Sequence, residues 1–370
     1  MKFFSMAWIR SFFDITSSKF KTLIILLIIT YLLIVFQIVL RRFNTTDTVP
    51  QLKAINTEVL KKLGPFAVRV KIGMFIKNFP VFDVNKNTFL VDSVVWFEFN
   101  SDEITLDTIE KFSVDNGKIT YKSPPDIKID ENRVFAKYNV HFELKTDLTF
   151  YKFPFEDHRI PIVVSNDFVT PEEMFYTTDA SSFRILQNIA PAGWKFSDTS
   201  VDTGFLVLEF DKEDTNKKTE NPKALFVLNF VKASSRKSLI IFMPLFSAVF
   251  LSMLAFVMNA ANVVGKFSLA ITAVTALLGY RFVIEQMMPQ VGYFTTTDAI
   301  YLFLLIFSFI NFSAQLLLTR YYMVMSSAPK DDSKRNAPVD FASQIETISS
   351  IIFLVMSMLL VAITSYIILT

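Results

Sequence analysis

The segment GKFSLAITAVTALLGYRFVIEQMMP carries Ser268, Thr272, Thr275 and Gly279 at intervals of four, three and four residues, which puts them on one stripe of a helix. Phe282 and Gln286 continue the stripe, while Leu269, Ile271, Val274, Leu278 and Val283 occupy the other faces. Hydroxyls and a glycine at the depth of hydrocarbon suit a helical wall wetted on one side. Small and hydroxylated residues equally allow helices to pack closely, and periodicity does not choose between the two. One helix encloses no water path, so the wetted-wall reading requires several copies of the chain around an axis. Charge at the mouths of such a path would set its ion preference. Lys266 stands at one end and Arg281 and Glu285 at the other, and the spacing leaves open which of them faces the lumen.

Other reactive groups are sparse. His141 and His158 are the two histidines; imidazole titrates near neutrality, but each reads as a structural or exposed residue, and no metal is expected. Acidic loop residues leave proton or divalent-cation sensing open. The chain contains no H-E-x-x-H, no G-x-S-x-G and no phosphate-cradling Gly-Lys loop, and only eight glycines, so neither an enzyme nor a cofactor is expected. The absence of cysteine excludes disulfides, thiolate metal sites and a thiol nucleophile. A net charge of +2, scattered along the chain, argues against nucleic acid as a partner.

The elements that must position these groups follow from composition. At 52% hydrophobic and 19% charged, the 370 residues are too apolar for an ordinary soluble chain. Thr22 to Leu40 is uncharged and long enough to span a bilayer. A cleaved signal peptide is the rival reading, but its apolar core would be shorter and end at small residues, whereas this one runs into Arg41-Arg42-Phe43. We therefore expect a retained anchor within residues 1–43. Residues 44–236 change to short alternating runs of β-branched and aromatic residues, the pattern of an all-β sandwich. The clearest strands are Val68–Ile76, Phe89–Phe99, Lys118–Tyr121, Arg133–Leu144, His158–Val164, Phe205–Phe210 and Ala224–Val231, the last two flanking a charged hairpin tip, DKEDTNKKTENPK. Residues 237–370 supply four more spans: one to about Met258, one over 266–286, one between Asp298 and Arg320, and one after Glu346.

Basic residues in short loops prefer the cytoplasm. The 286–298 connection has none, and the short 320–345 link carries Arg320, Lys330, Lys334 and Arg335. The β domain is then outside and the N terminus inside, in agreement with Lys2, Arg10, Lys19 and Lys21. Arg41 and Arg42 run against that orientation. A multi-pass protein of the plasma membrane, in a bacterium the inner membrane, is expected.

Several separated motifs coincide with one superfamily. An outer β-sandwich, three closely spaced helices, a short link and a fourth helix resemble the pentameric ligand-gated ion channels, or Cys-loop receptors. VRVKIGMFI followed by VDSVVWFEF is similar to the family's first strands, with Trp96 at the usual tryptophan, and SPPDIKI resembles its W-x-P-D motif with Ser123 for Trp. Phe153-Pro154-Phe155-Glu156-Asp157-His158 resembles the F-P-F-D-x-Q of the signature loop. Thr146 and Ile160 stand where eukaryotic members carry cysteines, a lack typical of bacterial relatives. Pro244 matches the proline in the first channel helix, Lys232 a preceding arginine, and LAITAVTA with Pro289 the pore helix and its outward linker.

The resemblance implies a homopentamer in the lipid bilayer, passing monovalent ions and opened by a small-molecule or ionic agonist. It implies coupling of the β domain to the pore through Phe153, Pro154, Phe155, Glu156, Asp157, Lys232, Pro289 and Tyr293, with a carboxylate at Glu156 or Asp157 pairing with Lys232. Lys232 also reads as an interfacial anchor. Family ligand sites use aromatic faces, making Trp96, Tyr121 and Phe168 candidates, although with 41 phenylalanines each alone reads as core sooner than as cage. The chain departs from the family in its additional N-terminal helix, in Thr275 where many members carry a leucine, and in lacking both a glutamate and a Pro-Ala before Lys266. Those departures leave ion selectivity open. Thr275, Gly279 and the additional helix sustain an alternative, a non-conducting membrane-anchored sensor or scaffold of the same fold.

Overall fold

Along Thr88–Asn100, Phe89, Val91, Val95, Phe97 and Phe99 are buried and alternate with half-buried neighbours, the period of two expected of a strand with one face on a core. The computed structural model describes residues 14–41, 43–55, 67–187, 189, 191–209, 218–259, 261–326 and 337–369. These fall into two units, the first made of Asn44–Thr149 with Glu156–Ser234, the second of Met1–Phe43, Phe150–Phe155 and Ser235–Thr370.

The first unit contains β1 (Lys53–Ala54), β2 (Val68–Asp83), β3 (Thr88–Asn100), β4 (Ser113–Val114), β5 (Gly117–Lys122), β6 (Asp126–Asp130), β7 (Arg133–Lys145), β8 (His158–Ser165), β9 (Met174–Thr177), β10 (Phe183–Ile185), β11 (Trp194–Glu209) and β12 (Lys218–Lys232). One sheet has the order β1-β11-β12-β8-β4. The other has the order β10-β2-β3-β7-β5, with β6 also on β7 and β9 also on β2. Phe79 and Phe82 of β2 meet Phe230 of β12 at ring separations of 5.5 and 4.7 Å, and Phe183 of β10 meets Phe226 at 5.0 Å. The two sheets thus pack face to face around an aromatic core, as the alternation implied.

Differences from the sequence reading have local causes. β2 continues past Ile76 to Asp83 through two register shifts, and each shift breaks the alternation that would have revealed it. β11 begins at Trp194, not Phe205, because Ser200, Asp202 and Thr203 leave its first half without an apolar face. β12 begins at Lys218, so much of the charged tip is strand; residues 210–217 lie outside the described residues. β9 and β10 are too short to show a period and pair with β2 in parallel.

The second unit is helical: α1 (Ser18–Arg41), then, after a single turn in the β unit (α2, Leu106–Ile109), α3 (Arg236–Leu254), α4 (Val263–Met287), α5 (Thr296–Ser326) and α6 (Ala337–Leu369). Among the described residues five helices are long and apolar enough to cross a membrane: α1, α3, α4, α5 and α6. α4 packs on α3 and α5, α5 on α3 and α6, and α1 on α6 and α3. α4 starts three residues before Lys266 because the Asn262 side chain accepts from the Gly265 amide at 3.0 Å, an N-cap, and it stops where Pro289 disfavours helical geometry at Met288.

Pro244 lies inside α3, and a proline cannot donate to the carbonyl four residues back, here that of Ile240. The Tyr280 hydroxyl of α4 donates to the Ile240 oxygen at 2.5 Å and replaces the missing helical bond. On the buried face of α5, Ser308, Asn311 and Gln315 have side-chain atoms that meet no hydrogen-bond partner among the described residues.

Candidate functional site

The helix α4 carries the stripe. Ser268, Thr272, Thr275, Gly279, Phe282 and Gln286 are all exposed on the chain, whereas Lys266, Ala270, Ala273, Leu277 and Ile284 are buried. At 100° per residue the two sets lie on opposite faces of the helix. The small and hydroxylated residues are therefore not used for packing within the chain; the helix packs through its alanines. Phe282 is 70% exposed near the end of the stripe.

The mouth charges are disposed differently from expectation. Lys266 is buried on the face opposite the stripe, which corrects its assignment to a pore mouth. Glu285 is exposed, about a quarter turn from the stripe, and receives Arg281 Nε at 3.0 Å. Arg281 Nη1 also meets Asp298 Oδ1 at 2.7 Å. Asp298 in turn accepts from the Thr295 amide while Thr295 Oγ1 accepts from the Asp298 amide, a reciprocal cap on the first turn of α5.

The stretch that resembles a signature loop is divided. Its first part, Phe150–Phe155, packs within the helical unit. The Tyr151 carbonyl accepts from the Thr296 amide at 2.8 Å, and the Phe153 carbonyl from the Thr297 amide at 3.1 Å and hydroxyl at 2.9 Å. These bonds satisfy first-turn amides of α5 that have no intrahelical partner. Tyr293, in the α4–α5 connection, stacks on Tyr151 at 4.2 Å, and its hydroxyl accepts from the Phe150 amide at 2.8 Å. Phe155 stacks on Phe242 of α3 at 5.3 Å, Phe36 of α1 meets both edge-on, and Ser238 donates to the Pro154 carbonyl at 3.4 Å. Phe153-Pro154 is a cis peptide, and Pro289 is buried.

The second part, Glu156–His158, belongs to the β unit. Asp157 Oδ2 accepts from the Asn44 amide at 3.0 Å and Oδ1 from the Lys232 amide at 3.1 Å. Asn44 follows α1 in sequence and Lys232 precedes α3, so one buried carboxylate holds both chain segments. The Lys232 ammonium donates to the Glu156 carbonyl and lies 5.9 Å from the Trp194 ring. Two bonds join Lys232 to its acidic neighbours through main-chain groups.

Asp47, which sequence reasoning missed, sits beside this arrangement. Its carboxylate accepts from His158 Nδ1 at 2.9 Å, the Arg159 amide at 3.0 Å, and the Thr149 amide and hydroxyl at 2.8 and 3.0 Å. Burial alone would raise this carboxyl, but the His158 imidazole and the Thr149 and Arg159 amides hold it below the usual carboxylate range. His158 is a buried structural residue, 1% exposed.

The three aromatic ligand candidates are not brought together within one chain. Trp96 covers Gly73 on the outer face of β3, beside Phe135 at 5.5 Å and with the Lys71 ammonium 6.0 Å from its ring. Tyr121 pairs with His141, four residues along β7 from the partner of Trp96, at a ring separation of 5.0 Å. Phe168, 72% exposed, follows β8 in the other sheet, with Lys111 5.7 Å from its ring. Lys2, Arg10, Arg42, Lys330, Lys334 and Arg335 lie outside the described residues. No protein-family model matches the chain, and no curated protein matches it.

Proposed function

We propose that the chain is a subunit of a ligand-gated ion channel, in which a stimulus on the β unit opens a pore lined by α4 in a homopentamer. The observation that carries this reading is the complete exposure of the stripe Ser268, Thr272, Thr275, Gly279, Phe282 and Gln286 opposite a buried face. A polar stripe left uncovered in hydrocarbon is unfavourable, and symmetric copies that turn it toward a common axis hydrate it. Phe282 and its symmetry mates would form the apolar constriction and the hydroxyls the wetted wall. The β unit lies outside and the N terminus inside, as the basic-residue bias of the connections favours. Movement of the β unit reaches the pore through residues 149–157, whose carbonyls at Tyr151 and Phe153 hold the start of α5 next to Tyr293 and the end of α4. The permeant species are monovalent ions and the agonist is a small molecule or ion.

The lack of cysteine gives a background-free test. Thr272→Cys protein recorded in planar bilayers across a KCl gradient, over a panel of pH values, calcium and small amines, should lose current on adding a charged methanethiosulfonate. Leu277→Cys should be indifferent. Equal sensitivity at the two positions would remove α4 from the pore wall, and silence from intact oligomers would favour the non-conducting sensor.

A further inference from the structure

At the end of the helical unit away from the Phe150–Phe155 loop, α1, α4, α5 and α6 enclose a cavity of about 230 Å³. Two lysines, Lys21 of α1 and Lys266 of α4, line it, and each is only 5% exposed. The Lys21 ammonium donates to the Phe256 carbonyl at 3.0 Å. The Lys266 ammonium has no hydrogen bond or ion pair among the described residues. The acidic residue on the wall is Glu346 of α6, so the three ionic groups carry one net positive charge. Holding two ammonium groups out of water against one carboxylate is costly unless an anion completes the set.

We propose that this cavity is a phosphate-binding site, filled by the headgroup of an anionic phospholipid. A phosphodiester carries the single negative charge that balances the lining. The cavity volume is several times the roughly 30 Å³ share of one water, which leaves room for a phosphate and its glycerol. Thr319, Tyr322 and Ser349 add hydroxyl donors to the wall. The depth agrees as well. At 25 residues α4 is about 37 Å long against a hydrocarbon core of about 30 Å, so Lys266, in its first turn, reaches headgroup level. The site requires that the helices lie in a bilayer; it does not require that the chain conduct.

The test is thermal unfolding of delipidated full-length protein in neutral detergent, titrated separately with phosphatidylglycerol, phosphatidylcholine and inorganic phosphate. Phosphatidylglycerol should raise the melting temperature saturably, and phosphatidylcholine at the same concentrations should not. Lys266→Met and Lys21→Met should each weaken the apparent affinity for phosphatidylglycerol about tenfold, the loss of one charged contact. Glu346→Gln, which removes the opposing charge and leaves both lysines, should tighten it and carries the test if a lysine variant does not fold. Equal shifts by the two lipids, or an affinity unchanged in Lys266→Met and Glu346→Gln, would overturn the site. A shift by inorganic phosphate with none by phosphatidylglycerol would overturn the lipid assignment.

Discussion

The bond from Tyr280 to the Ile240 carbonyl should be worth about 1 kcal/mol more when Pro244 is present than when it is not. Pro244 deprives that carbonyl of its helical donor, and Tyr280 supplies one at 2.5 Å. Tyr280→Phe then leaves the Ile240 carbonyl without a donor, and a bond left unmade away from water costs about 1–3 kcal/mol. Measured side-chain bonds between membrane helices reach only about 1.7 kcal/mol, so a loss of about 1.5 kcal/mol is the reasonable figure. In the Pro244→Ala background the main-chain amide returns, the Ile240 carbonyl is satisfied within α3, and Tyr280→Phe should cost about 0.3 kcal/mol or less. The four proteins of this cycle can be unfolded reversibly by adding sodium dodecyl sulfate to mixed micelles, with circular dichroism as the readout. A coupling energy near 1 kcal/mol is expected. Additivity to within about 0.3 kcal/mol would refute the argument, because Tyr280 would then stabilise the helix pair by packing alone.

Asp47→Asn should destabilise the β unit by about 3 kcal/mol, since one of two oxygens that each accept from two donors becomes a donor itself; the melting temperature should fall by about 6–12 °C. The native carboxyl titrates below its ordinary value, so its contribution is full above about pH 3.9 and is lost as pH falls through the lower folded value. The gap between native and variant melting curves should therefore close only in strong acid. Gly73→Ala would bring a methyl group within 2.1 Å of the Trp96 ring, and a loss of about 1–3 kcal/mol with a changed tryptophan emission should follow in thermal unfolding. Thr272→Phe places a ring at each copy of an exposed stripe position and should abolish single-channel current while size-exclusion chromatography shows an unchanged oligomer.

The long strands were legible because each shows its period over many residues, and the long apolar helices because each contains an extended run without charge. The stripe on α4 was legible, but its opposite face went unused: Lys266, Ala270, Ala273 and Leu277 repeat at four, three and four residues, and the sequence reading still left Lys266 a candidate for the lumen. Asp47 was not, because its partners Thr149 and His158 lie more than a hundred positions away and TTDT carries no motif of its own. The carbonyl caps on α5 were equally hidden, since a main-chain acceptor leaves no mark on residue type. Lys21 and Glu346 looked like flanks of two separate spans, and only the packing of α1 on α6 brings them to one cavity.

That same packing sets a timetable. Ser365 donates to the Tyr31 hydroxyl at 3.1 Å across 334 positions of sequence, and α1 rests on α6. At about 5–20 residues per second, a ribosome finishes α1 roughly 15–60 s before α6 begins. Throughout that interval α1 is without α6, and Ile25, Ile28 and Leu32 lack neighbours that will cover them. Two helices separated by almost 300 residues thus meet, so their contact forms only once α6 has been made.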